Sequence, residues 1–226
     1  MSVASPLSPL SSREKILDVA EALLARRGFS GVGLREVAMG VGLGKSSLFH
    51  HFPSKVHLYL EVLERSLSRI QQHVQPALQA IAAPARKMDL WLDALTNSLV
   101  EHPTTARLLL RELFEDHDFP AEVRREVDSV ERTLMSILGG FQAILREGIE
   151  AGVYRAVDVR DATQTMIGTM VYHFASGELG ESITGGPLFS AQAVARRKRE
   201  MKIFLHGGLA AGAVGLAAPA EGGDPT

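Results

Sequence analysis

The stretch Leu34 to Lys55, LREVAMGVGLGKSSLFHHFPSK, restricts the possible folds more than any other part of the chain. Leu34, Val37, Ala38 and Val41 follow the three-and-four spacing that lines up apolar groups on one face of a helix. Glycines at 40, 42 and 44 then break that helix, in conformations closed to other residues. A second short helix is expected from Lys45 to about His51, anchored by Leu48 and Phe52 and stopped by Pro53. Lys45, Ser46, Ser47, Phe49, His50 and His51 face elsewhere. A short helix that turns a lysine, hydroxyls, an aromatic ring and two histidines to solvent suits the major groove of DNA.

At Gly42-Leu43-Gly44-Lys45-Ser46-Ser47-Leu48-Phe49-His50-His51-Phe52-Pro53-Ser54-Lys55 the chain resembles the helix-turn-helix signature of the TetR family of bacterial transcriptional regulators. Gly28-Phe29 and Arg35-Glu36-Val37-Ala38 fall where that family has its glycine-aromatic loop and first motif helix. The resemblance covers roughly residues 13–60 and is architectural beyond them. Two positions depart from the pattern. Phe49 stands where the family usually has tyrosine, and Gly33 lies near the usual Thr or Ser cap of the first motif helix. The resemblance implies an N-terminal three-helix DNA-binding domain and a C-terminal helical ligand-binding and dimerisation domain. It also implies DNA contacts from Arg35, Lys45, Ser46, Ser47, Phe49, His50, His51 and Lys55.

The charge distribution agrees with this polarity. The chain has a net charge of -2, yet residues 1–56 hold seven Lys and Arg against four acids, which gives +3 and leaves -5 for the remainder. A basic front on an acidic body is expected when one domain touches phosphate and the other does not. The absence of cysteine excludes disulfides and thiol catalysis and fits a reducing cytoplasm. No apolar run is long enough to cross a bilayer. Residues 1–12, MSVASPLSPLSS, lack the basic start and apolar core of a signal peptide and read as a flexible arm.

The DNA-binding domain is expected over 13–56, with Ser12 capping a first helix that runs to about Arg27 and Phe29 plugging the three-helix core. A helical regulatory domain is expected over 57–207. It opens on a long helix from Lys55 that Pro76 should kink or stop. Further helices are read near 85–100, 103–116, 120–151, 158–178 and 190–207, so the fold class is all-α. Gly139-Gly140 would permit a bend or a close approach, and Asp158 would cap the helix that follows it. Residues 208–226, rich in Gly and Ala, read as a disordered tail.

The segment 158–178 has two unlike faces. Val159, Thr163, Met166, Ile167, Met170 and Phe174 form a large apolar side that belongs inside the monomer. Ala162, Thr165, Gly168, Thr169, Tyr172, Ala175 and Ser176 form a small, weakly polar side open to close approach by another helix. With Val194, Met201, Phe204 and Leu205 on the following helix, that side suits a four-helix interface between two copies of the chain.

Catalytic signatures are missing. Gly40 to Ser46 approaches a P-loop, but Met39 stands where its first glycine belongs and helix spacing, not a strand, precedes it. Glu112, Glu115, Asp116, His117 and Asp118 are metal-ligand types without a ligand spacing, and they read as a solvated helix end. His102, His173 and His206 are isolated and read as structural. No cofactor and no metal are expected. Trp91, Leu95, Leu99, Leu109, Leu113, Phe114, Phe141, Met166, Met170 and Phe174 are first of all core residues. The resemblance implies that the core around most of them is hollowed into a pocket for a mainly apolar small-molecule inducer. The whole therefore reads as a homodimeric repressor of a palindromic double-stranded DNA operator, not an enzyme and not a membrane protein. The alternative is a helical enzyme or small-molecule carrier whose first three helices only pack.

Overall fold

The computed structural model describes residues 11–115 and 117–212. Among the described residues the chain is all-α, with ten helices. The first three are α1 (Ser12–Arg27), α2 (Leu34–Val41) and α3 (Lys45–His51). Then follow α4 (Lys55–Gln79), α5 (Pro84–Glu101), α6 (Pro103–Glu112) and α7 (Arg124–Glu150). The last are α8 (Val159–Ala175), α9 (Gly177–Thr184) and α10 (Ala191–Leu209). A 3-10 turn, Ala121–Val123, precedes α7. The arm expected over 1–12 and the tail expected over 208–226 fall largely outside the described residues.

The helix starts follow side-chain chemistry. Ser11, not Ser12, caps α1 by accepting from the Glu14 amide at 3.2 Å. Ser54 caps α4, and Asp158 caps α8 by accepting from the Arg160 and Asp161 amides at 2.8 and 2.9 Å. Gly33 precedes α2 without a side-chain cap, as its missing oxygen requires. Helix α4 runs through Pro76 for three more residues. Gly140 lets α7 approach α4 closely, since a Cβ there would stand 2.9 Å from Leu78 Cδ1.

Two apolar cores result. The smaller packs Ile16, Leu17, Val37, Leu48, Phe52 and Leu63 from α1 to α4, joined by Leu108 of α6. The larger packs α4, α5, α7, α8 and α10 around Trp91, Phe141 and Met170. Burying such faces at about 25 cal/mol per Å2 supplies most of the drive to fold.

Several boundaries moved. Helix α6 ends at Glu112, not 116. The 177–184 segment, read as the end of one helix and a loop, is a separate helix begun at Gly177, whose φ of 56° ends the run from α8. Helix α10 continues through Leu209, which is buried, and Ala210 pairs with Tyr154 in an isolated β-bridge. Arg155 N donates to Leu209 O at 2.8 Å, so the start of the expected tail is tied to the α7–α8 connection.

Candidate nucleic-acid interface and its link to the helical core

Helices α2 and α3 meet at Gly42, whose φ of 73° is left-handed and whose N–H closes α2. Leu43 N then donates to Ala38 O at 2.9 Å. Leu48 of α3 and Phe52 just after it are buried at 0% and 1% exposure and hold the helix against the small core. Arg13 covers the Phe52 ring at 4.9 Å. These anchors leave Ser46, Ser47, Phe49 and His50 exposed on one outer face, with His51 half-buried beside them. Lys45 opens the helix, and Arg35 is exposed on α2. Hydroxyls, imidazoles and an aromatic ring on a seven-residue helix can meet both phosphate oxygens and base edges.

Lys55 is placed differently. Its Nζ lies over the Phe29 ring at 4.3 Å, and the side chain is half-buried at the seam where the smaller core meets the residues after α6. Burial lowers its pKa, and Glu115 pushes back upward. Phe29 also packs against Tyr59 at 4.9 Å and His117 at 5.3 Å between ring centres. His117 stacks on Phe119 at 4.6 Å. The segment around His117 is therefore not a solvated helix end, since Phe29 and Tyr59 from distant parts of the chain and the neighbouring Phe119 enclose the imidazole. Tyr59 donates its hydroxyl to Glu112, and burial followed by that carboxylate raises the phenol pKa. Among the described residues no group of three or more His, Cys, Asp or Glu is placed to hold a metal.

The same seam carries the polar connections from the front domain to α6. Arg111 donates to Ala25 O at 3.0 Å and to Arg26 O at 2.6 Å, capping the C-terminal end of α1. Glu115 accepts from Phe29 N at 3.0 Å. Glu21, 4% exposed, accepts from Arg65 at 2.8 Å, Arg69 at 2.9 Å and Thr104 at 2.7 Å. Sequence reasoning missed this network. Its one visible signal was a carboxylate on the same face of α1 as Leu17, Ala20 and Leu24.

In the larger core the structure brings Trp91, Leu95, Phe141, Met166, Met170 and Phe174 into one buried cluster, with Leu99 in it and Leu109 half-buried against it. Trp91 and Phe141 have ring centres 5.4 Å apart. Trp91 Nε1 is buried, with no acceptor among the described residues. Leu113 and Phe114 do not join, at 66% and 81% exposure. Leu113 is the C-cap of α6, so the helical period that would have turned these two inward has already stopped. A cleft of about 830 Å3 between α8 and α10 reaches from Phe204 and Thr165 at the surface down to Phe141 and Met166.

The face expected to meet a second copy is divided. Thr165, Gly168 and Tyr172 are exposed, Ala162, Thr169 and Val194 are half-buried, and Phe204 is 65% exposed. Ala175, Met201 and Leu205 belong instead to the monomer core, because α10 turns its apolar stripe toward α5 and α8 ends against α6. Leu179 and Ile183 of α9, 61% and 69% exposed, were not foreseen on the outer surface.

Among the described residues no helix is long and apolar enough to cross a membrane. The description of bacterial regulatory proteins of the tetR family matches residues 16–62. The tetracyclin repressor-like C-terminal domain matches residues 84–202, more than half of the chain. The HTH-type transcriptional repressor KstR of Mycobacterium tuberculosis is 30% identical over 126 residues, 55% of this chain and 56% of that protein. The chain thus spans little more than half the length of KstR. The HTH-type transcriptional repressor KstR2 of Mycolicibacterium smegmatis is 26% identical over 197 residues, 85% of this chain and 89% of the other. In fold, the ketosteroid transcriptional regulator KstR2 of Mycobacterium tuberculosis superposes with a TM-score of 0.72 at 21% identity. That superposition covers 92% of this chain and 99% of its neighbour. With both domain descriptions matched and the helix-turn-helix displayed at the surface, the chain belongs to the TetR family of bacterial regulatory proteins.

Proposed function

We propose that the chain is a homodimeric repressor that acts on DNA in the cytoplasm and leaves a palindromic operator when a mainly apolar small molecule enters the helical core. Arg35 and Lys45 donate to guanine edges, and Ser46, Phe49 and His50 meet bases. Ser47 and His51 bind phosphates. Lys55 supports the phosphate field from its seat on Phe29 and holds the entry to α4 in place. Two such modules, joined through the outer faces of α8 and α10, read half-sites about 34–36 Å apart or a multiple of that.

The observation that carries this reading is the position of α6. One side of it grips the end of α1 through Arg111, and the residues after it hold Phe29 through Glu115. Its other side packs on α8, within the apolar core. A ligand that passes down the α8–α10 cleft and wedges among Trp91, Phe141, Met166 and Met170 displaces α8, and with it α6, because the interior below the cleft is close-packed. The movement reaches α1 and changes the separation of the two DNA-reading modules. Release requires that the ligand bind the displaced state more tightly than the DNA-bound one.

The unpartnered Trp91 Nε1 adds a chemical requirement. A ligand that carries one carbonyl or hydroxyl acceptor on an otherwise apolar body satisfies that donor on binding. A relative of the same fold is described as a ketosteroid regulator, which makes ring ketones a first set of probes. Trp91 is the only tryptophan of the chain, so its fluorescence reports directly on the core. A matching ketone is expected to change that emission and release operator DNA. With Trp91→Phe, half-release should need about three to ten times more ketone, the worth of one neutral hydrogen bond, and an acceptor-free analogue should be unaffected. Equal loss for both probes would remove the hydrogen-bond role, and no release by any apolar probe would remove the inducer site from this core.

A further inference from the structure

Where α8, α9 and α10 meet there is a second, smaller cavity of about 150 Å3. His173, Thr184, Leu188, Arg196, Arg197 and Glu200 line it. Arg197 crosses from α10 to donate through Nη2 to Thr169 O of α8 at 2.7 Å, while its Nε is buried with no partner among the described residues. Arg196 donates to Thr184 O at 3.3 Å. Among the described residues these main-chain carbonyls are the acceptors for both guanidiniums, and neither has a carboxylate. Glu200, the one acidic residue on the lining, is exposed and pairs with Arg199 at 3.0 Å. Arg107 of α6 reaches the start of α9, its Nη2 lying 3.1 Å from where a Cβ on Gly177 would stand.

Taking a guanidinium out of water is unfavourable unless an opposite charge and hydrogen bonds replace the lost solvation. Carbonyl dipoles replace only part of it. A buried Nε–H with nothing to bond, beside a second arginine and an open volume, is the arrangement that an anion completes. The volume is about five times a water's share of the liquid, enough for a four-oxygen anion but not for a nucleotide. We infer that this crease is a binding site for a tetrahedral oxyanion of the phosphate or sulfate type, held by Arg197 and Arg196 with His173 beside them.

His173 gives the site a pH dependence. Burial first, then Arg197 and Arg196, hold its pKa down to about 4, so in the empty site the imidazole is neutral at neutral pH. The anion offsets both guanidiniums and raises that pKa. A histidine whose pKa is higher in the loaded state strengthens binding as pH falls through the loaded value, and the gain is complete below the empty-site value. From α10 the charged groups facing it are Arg196, Arg197 and Glu200, and from α9 the uncharged Thr184.

Calorimetry of the full chain with sulfate, at constant ionic strength in chloride, tests the inference, because sulfate keeps its charge from about pH 8 to about pH 5 where histidine titrates. Wild type is expected to bind sulfate more tightly at the lower pH. Arg197→Gln should weaken binding about tenfold or more, as loss of a charge-assisted bond does. Arg196→Gln, a change at an exposed side chain, provides the same reading if the first variant does not fold. His173→Gln should bind with no pH dependence, near the wild-type affinity at high pH. Inorganic phosphate and phenyl phosphate separate the two sources of such an anion. Equal affinity means the head group of a larger molecule fits, and binding of phosphate alone means a free ion does. Sulfate no better than chloride, or unchanged by either arginine variant, overturns the site. A variant dimer that dissociates while wild type ignores sulfate overturns it too, and assigns the arginines to the contact between subunits.

Discussion

Glu21→Ala should destabilise the chain by about 3 kcal/mol, near the lower end of the range for breaking a buried ion pair. The carboxylate ties α1 to α4 through Arg65 and Arg69, and to α6 through Thr104. Its removal strands two guanidiniums whose side chains are only 13% and 23% exposed. Arg65 retains Glu14 at 3.1 Å and Asp18 at 2.9 Å at the surface, which is why the upper end of the range is not expected. Burial alone would raise the Glu21 pKa. The Thr104 hydroxyl and the Arg69 and Arg65 charges outweigh it and hold the group below the usual carboxylate value. A carboxylate depressed in the folded state contributes stability above its unfolded pKa, and that contribution is lost as pH falls through the folded value. Urea unfolding of wild type should therefore weaken below about pH 4.5 more steeply than unfolding of Glu21→Gln. A loss under about 1 kcal/mol at neutral pH would place the network with ordinary surface pairs.

Gly168→Arg combined with Phe204→Arg should give a folded monomer that binds the operator about 100 to 10,000 times more weakly, the factor by which two joined modules exceed one. Open space surrounds the Gly168 Cα on the outer face of α8. An arginine there strains nothing in the monomer and is a better helix former than glycine. Phe204 is 65% exposed, so its replacement leaves the core intact. Ala175 is unsuited to this test, because its side chain lies in the core and an arginine there would unfold the chain rather than divide a dimer. Sedimentation of the double variant decides. A dimer that still binds the operator would move the interface elsewhere, with Leu179 and Ile183 of α9 the next surface to change.

What could be read from the residues alone depended on how local the cause was. Leu48 and Phe52 anchor α3, Gly42 turns the chain and Asp158 caps α8 through neighbours a few residues away, and all four were legible. The faces of α8 and α10 were legible only as periods. Which neighbour each face meets is a long-range matter, so Ala175, Met201 and Leu205 were assigned to the wrong side. Leu113 and Phe114 extend an apolar period past a cap that carries no glycine or proline to announce it. His117 sits in a charged run, and only the approach of Phe29 and Tyr59 makes its surroundings aromatic. Helix α9 was missed because Gly177 and Gly180 lower its propensity, yet Gly180 is buried where Ser176 and Leu188 leave no room for a Cβ.

In the proposed mechanism the outer face of α2 and α3 reads a two-fold DNA site. A footprint on the DNA upstream of the chain's own gene, at about 0.15 M salt where non-specific attraction is screened, tests it most directly. Wild type is expected to protect two inverted half-sites about 10–10.5 base pairs apart, or a multiple of that. Arg35→Ala should cost about 1–3 kcal/mol on the preferred sequence and relax the choice of base at one position of each half-site. No protected site, or an Arg35→Ala protein that loses the same affinity on every sequence, would contradict the account.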